Sequence, residues 1–71
     1  METIGYRVRI IRKCQSLTQK QFSSILAVSR PYISNIEHNK KQPPKTLIKL
    51  ICHEFKVSEN WLLTGKGQYG V

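Results

Sequence analysis

The stretch Ser29-Arg30-Pro31-Tyr32-Ile33-Ser34-Asn35-Ile36-Glu37 holds the side chains of this chain best suited to recognising another molecule. It opens with polar residues after the break Ala27-Val28, and a second short helical pattern, Thr18 to Leu26, precedes it. Two short helices joined by a tight turn suit the major groove of B-form DNA. That groove is about 12 Å wide and admits one helix, whose first residues reach base edges while the preceding helix lies across the backbone. Charge points the same way: twelve Lys and Arg against four Asp and Glu give +8, a field that attracts polyanions.

Other chemistries are poorly supplied. There is no Ser, His and Asp constellation, no phosphate-cradling glycine loop and no carboxylate pair, so an enzyme is not expected. Cys14 and Cys52 have no CxxC companion, and a zinc site would need His38 and His53 at an unfamiliar spacing. Two reduced thiols are expected, with Cys52 a small filler of the run Leu47, Ile48, Leu50, Ile51, Phe55 and His53 facing water. No metal, cofactor or small-molecule substrate is called for. The opening residues Met1-Glu2-Thr3-Ile4-Gly5-Tyr6-Arg7 lack the apolar run of a signal peptide, and no stretch nears the ~18 apolar residues of a membrane span. The expected setting is the cytoplasm, without membrane contact.

The elements that must position the Ser29–Glu37 stretch read as helices. Ile4, Val8 and Ile11 give a first helix from about Thr3 to Cys14, capped by Thr3, with Arg7, Arg9 and Lys13 mainly on other faces and Gly5 costing roughly 0.5 to 1 kcal/mol against Ala. Thr18-Gln19-Lys20-Gln21 is a capping box that opens a second helix with Phe22, Ile25 and Leu26 inward. Ser29 caps the third, where Pro31 fits the first turn and Ile33 and Ile36 face the core; Asn39 and the Pro43-Pro44 pair end it. A fourth, about Lys45 to Phe55, carries the wide apolar stripe already named. Ser58 caps a short fifth, Glu59 to about Thr64, which ends at Gly65. At 71 residues this makes one domain, 1–71, with 66–71 expected to be a loosely ordered tail.

Over nearly its whole length the sequence resembles the Cro and phage-repressor (Xre-like) family of lambda-repressor-like helix-turn-helix proteins. The likeness rests on Arg7-Val8-Arg9-Ile10-Ile11-Arg12-Lys13, Leu17-Thr18-Gln19, Leu26-Ala27-Val28-Ser29-Arg30, Tyr32-Ile33-Ser34-Asn35-Ile36-Glu37, Pro43-Pro44 and the closing Val57-Ser58-Glu59-Asn60-Trp61-Leu62-Leu63-Thr64-Gly65-Lys66-Gly67. It departs from the pattern at Ala27 and Asn39, where the family often has Gly, and at Ser23, where it favours Ala. A non-Gly residue at positive φ costs on the order of 1 kcal/mol, and Asn tolerates it best.

The resemblance implies a compact all-α, five-helix fold with its helix-turn-helix at helices two and three. It implies a sequence-specific transcriptional regulator, by default a repressor, that binds a pseudo-palindromic operator in double-stranded DNA as a homodimer and is bacterial or phage-encoded and nucleoid-associated. It places Ser29, Arg30, Pro31 and Asn35 at base edges: Arg30 bidentate to guanine, Asn35 to adenine, Pro31 against a thymine methyl. Thr18, Gln19, Tyr32, His38, Lys40, Lys41 and Lys45 fall to the phosphates, and Arg12 and Glu37 to a structural ion pair. For the dimer contact it points to part of Val57 or Leu62, or the loop before helix four, with Trp61 in the core. The rival reading is an antitoxin or protein-interaction adaptor on the same fold.

Overall fold

In a computed structural model, residues 2–70 are described and form five helices: α1 (Ile4–Cys14), α2 (Gln19–Leu26), α3 (Arg30–Glu37), α4 (Lys45–Phe55) and α5 (Glu59–Thr64). No strand occurs among the described residues, only one antiparallel bridge between Val57 and Gly70. Four helices start on a hydroxyl cap. Thr3, Ser29 and Ser58 accept from the N–H of Tyr6, Tyr32 and Trp61, and Thr18 and Gln21 exchange both bonds of the capping box. Each cap satisfies an amide that the helix itself leaves without a partner. α4 starts at Pro44 with no side-chain cap.

The first four helices share one way of ending. Ser16, Ala27, Asn39 and Lys56 stand at φ between 58° and 62°, and the residue after each donates its N–H back to Arg12, Ser23, Asn35 and Cys52 respectively, at 2.8–3.2 Å. These are Schellman closures, which commonly take Gly at the left-handed position. Ala27 and Asn39 were legible as such; Ser16 and Lys56 were not, because neither residue type signals that conformation.

α3 lies against α1 and α2, α5 against α1 and α4, and α2 also meets α4. Val8, Ile11, Phe22, Leu26, Ile33, Ile36, Leu47, Ile48, Ile51, Val57 and Leu62 are the buried apolar centre, with Phe55 stacked on Phe22 at 5.4 Å between ring centroids. Two residues assigned to the core by spacing are not in it. Ile25 is 45% exposed and Leu50 40%, because α2 and α4 each bury a narrower stripe than their apolar residues allow. Cys52 is buried as expected of a filler, Cys14 is exposed, and both are free.

Two residues of α1 have roles that the spacing does not disclose. Gly5 sits where α1 crosses the end of α3, and a β-carbon there would collide with the Ile36 carbonyl and the Asn39 side chain. Arg7, placed off the core face by periodicity, is buried. Its Nε donates to the Leu62 carbonyl at 2.7 Å and its Nη2 to that of Leu63 at 3.2 Å, so a cation closes the C-terminal end of α5.

Tyr69 and Gly70 pack back against the domain. Ser58 N–H donates to the Tyr69 carbonyl at 2.8 Å, and the Tyr69 ring meets Trp61 edge-on at 4.6 Å between centroids. Of the segment 66–71 expected as a loosely ordered tail, Val71 lies outside the described residues, and Tyr69 and Gly70 turn back to Ser58, Trp61 and Val57. Apolar contact at Tyr69 accounts for it, a single aromatic that a composition of Gly and polar residues conceals.

Candidate nucleic-acid interface

The α2–α3 unit is set by small, local devices. The closure at Ala27, at φ 59° and ψ 39°, reverses the chain within three residues, and the Ser29 cap restarts it. Ser23 is buried on α2, the helix that packs on α3, and its hydroxyl donates to the Lys20 carbonyl at 2.8 Å, so no polar atom is stranded as the two helices meet. Ile33 and Ile36 hold α3 down by their burial. The opposite surface of the same helix, Arg30, Pro31 and Asn35, is exposed, with Pro31 and Asn35 four residues apart on one face. Ser29 is exposed too, its Oγ already accepting from Tyr32 N–H at 3.3 Å.

Under this surface lies an ionic network. Arg12 Nε and Nη2 donate to the two oxygens of Glu37 at 2.7 and 3.1 Å, and Arg12 Nη1 to the Leu17 carbonyl at 2.9 Å. Both partners are buried, the Glu37 side chain to 2% exposure. Glu37 Oε1 also accepts from Gln19 Nε2 at 3.1 Å, so the amide of Gln19 is tethered inward rather than free to reach out.

Of the remaining phosphate candidates, Thr18, His38, Lys40, Lys41 and Lys45 are exposed, whereas Tyr32 is half-buried against the core. Tyr32 nonetheless helps the surface, since Lys41 Nζ stands 5.5 Å from its ring centroid in a cation–π contact. His38 turns its Nδ1 to the Ser34 carbonyl at 2.8 Å. The acids matter by their positions. Glu37 is the single carboxylate between Cys14 and His53, and Arg12 and Gln19 occupy it. Among the described residues, no ion pair engages Lys20, Arg30, Lys40, Lys41 or Lys45.

Elsewhere the structure corrects one expectation. Val57 and Leu62 are 1% and 0% exposed, interior to the monomer and out of reach of a partner subunit; α5 needs both to seal against α1 and α4. Trp61 packs against the core, and the exposed residue of that segment is Leu63. At the start of α4, Pro44 and Thr46 are exposed and border a groove with Val28, Tyr32, Leu47 and Leu50, while Pro43 in the preceding loop is buried. No three His, Cys, Asp or Glu side chains gather as a metal site among the described residues, and no helix there is long and apolar enough to cross a membrane.

Known proteins match this arrangement. The fold superposes on the crystal structure of the P22 c2 repressor protein in complex with synthetic operator 9T in the presence of Tl+, with a TM-score of 0.83 over 93% of this chain and 100% of that one, at 24% identity. In sequence the chain is 36% identical over 55 residues, 78% of its length, to the antitoxin PezA of Streptococcus pneumoniae serotype 4. It is 31% identical over 64 residues, 90% of its length, to the propionyl-CoA carboxylase regulator of Cereibacter sphaeroides. It spans only 35% of the former and 14% of the latter. Residues 5–68 match the family described as a helix-turn-helix domain, and the chain belongs to that family.

Proposed function

We propose that this chain binds double-stranded DNA sequence-specifically, seats the start of α3 in the major groove, and acts as a non-enzymatic regulator of transcription in a bacterial or phage setting. The observation that carries the reading is the exposed Arg30, Pro31 and Asn35 face on a surface whose one carboxylate is buried in an internal pair. The fold likeness to a repressor solved on its operator and the similarity to a carboxylase regulator support it. Arg30 then reads guanine and Asn35 adenine, Pro31 lies against a thymine methyl, and the Ser29 hydroxyl stands near the same bases. Thr18, Tyr32, His38, Lys40, Lys41 and Lys45 hold phosphates, while Gln19 contributes through its backbone N–H at the start of α2. A homodimer joined through the loop before α4 and Leu50 places two half-sites ~10 base pairs apart on a pseudo-palindromic operator, with repression the default outcome.

The test is selection of bound duplexes from a random pool, followed by titration of the winner. Wild type is expected to return a two-fold symmetric motif and a log affinity that falls linearly with log salt, by about 0.9 per phosphate neutralised. Arg30→Ala is expected to lose about 1–3 kcal/mol of discrimination at one base pair per half-site. A flat salt response would sink the reading, and an equal loss for every base variant would move Arg30 to the phosphates. The antitoxin similarity supports a second reading, an antitoxin's helical module. A chain that selects no duplex yet binds a protein partner tightly would favour it.

A further inference from the structure

We infer that Arg9 is a phosphate-binding residue, the outer cation of a notch that takes one phosphodiester of the bound duplex. This rests on the DNA-binding reading above and extends it from α2 and α3 to α1. The notch is a cavity of about 110 Å³ lined by Arg9, Arg12, Gln19, Glu37 and His38. At about 30 Å³ per water, it has room for a small oxyanion group.

Its electrostatics select the sign of the occupant. Glu37 is the one acid on the wall, and both of its oxygens are taken: Oε2 by Arg12 at 2.7 Å, Oε1 by Arg12 and Gln19 at 3.1 Å each. Arg12 cancels that charge, which leaves the exposed guanidinium of Arg9 as a surplus cation with no ion pair or hydrogen bond to another side chain among the described residues. A guanidinium presents its donors as a fork that matches phosphate oxygens. The position is suited to DNA rather than to a free anion. His38 follows Asn35 by one helical turn, and Gln19 opens α2, so the notch lies where the backbone must pass when α3 fills the groove. Arg9 sits three residues before Arg12 on α1, on the same side of that helix.

The test uses the duplex selected by the wild-type chain, with Arg9→Gln, Arg9→Lys and a scan in which single phosphates are replaced by uncharged methylphosphonate. Arg9→Gln is expected to weaken binding about tenfold, equally for the selected duplex and its base variants, and to lower the salt slope by about 1, while Arg9→Lys restores the slope. One methylphosphonate position per half-site should make wild type and Arg9→Gln bind alike. The inference is overturned if the slope is unchanged, if the loss depends on base sequence, or if the two effects add at every position. A further arm offers inorganic phosphate alone. Millimolar phosphate that shifts the Arg9 side-chain NMR signals while no methylphosphonate position couples to it would make the notch a free-anion site, and would also overturn the inference. Should the wild type select no duplex at all, the DNA-binding reading itself fails. Arg9 is exposed, and matching circular dichroism and melting curves confirm that the variants remain folded.

Discussion

Arg7 and Arg12 leave the same helix toward different neighbours, and both are buried for reasons that diverge. Arg12 meets a carboxylate buried to 2% side-chain exposure, and the two charges satisfy each other beneath α3. Arg7 meets the carbonyl end of α5, with the half-exposed Glu2 as its one ion-pair partner among the described residues, at 3.3 Å. The α1–α3 contact is thus ionic and closed, while the α1–α5 contact is a cation against a helix terminus. The difference separates charge that serves the fold from charge offered to a partner: Arg7 and Arg12 are consumed internally, and Arg9 and Arg30 are not.

The largest effects should come from breaking the ionic contact. Arg12→Met strands Glu37, and Glu37→Gln strands Arg12; each is expected to cost about 3–5 kcal/mol in urea unfolding, a large share of what a domain this small has to lose. The double variant Arg12→Met with Glu37→Met should be more stable than either single one, because no lone buried charge remains. Arg7→Met should cost less, about 1–3 kcal/mol, since it exposes two carbonyls to repair by water and leaves no buried charge. Equal and mild losses at both arginines would erase the distinction.

A smaller effect tests the turn that aims α3. Ala27 stands in the left-handed region, where a β-carbon costs on the order of 1 kcal/mol. Ala27→Gly is expected to raise stability by about that amount, with operator affinity unchanged, as read from paired unfolding and binding curves. Asn39→Gly, at φ 62°, should gain less, since Asn already tolerates the conformation. A destabilised Ala27→Gly would mean that the alanine methyl packs to some advantage.

Local chemistry made much of this molecule readable in advance. All five helices follow from spacing and from the Thr3, Thr18, Ser29 and Ser58 caps, because a cap hydroxyl and its amide are three residues apart and need no tertiary knowledge. What was hidden depends on neighbours distant in sequence. Gly5 reads as a weak helix residue until the crossing of α3 is known, and Arg7 as a solvated cation until α5 is placed 55 positions later. Ile25 and Leu50 fail in the opposite sense: their types fit a core, but no element arrives to cover them. On the candidate face of α3, exposure of Arg30 and Asn35 was foreseeable. The inward tether of Gln19 was not, because it requires Glu37 to be held by Arg12 first.

The α4–tail side of the molecule offers the smallest and most selective test, because its buried titratable groups are neutral rather than paired. Burial, aided by the nearby charge of Glu59, raises the Cys52 thiol from an ordinary 9.0 to about 11. Burial, with the Cys14 thiol beside it, pushes the Tyr69 hydroxyl from 10.0 to about 12, and that hydroxyl has no conventional hydrogen-bond partner. For an acid whose folded-state pKa is raised, the folded chain binds its proton more tightly than the unfolded one does, so the stabilising contribution is complete at neutral pH. It declines once pH climbs past the unfolded values, near 9 and 10, and is gone above the folded ones. Stability should therefore fall progressively from about pH 9 upward, and Cys52→Ala should flatten the first part of that fall. Glu37→Gln breaks the ionic contact and leaves Cys52 and Tyr69 in place, so it should lower the whole curve without changing its alkaline slope. A slope that follows Glu37 rather than Cys52 would place the alkaline weakness in the ionic contact after all.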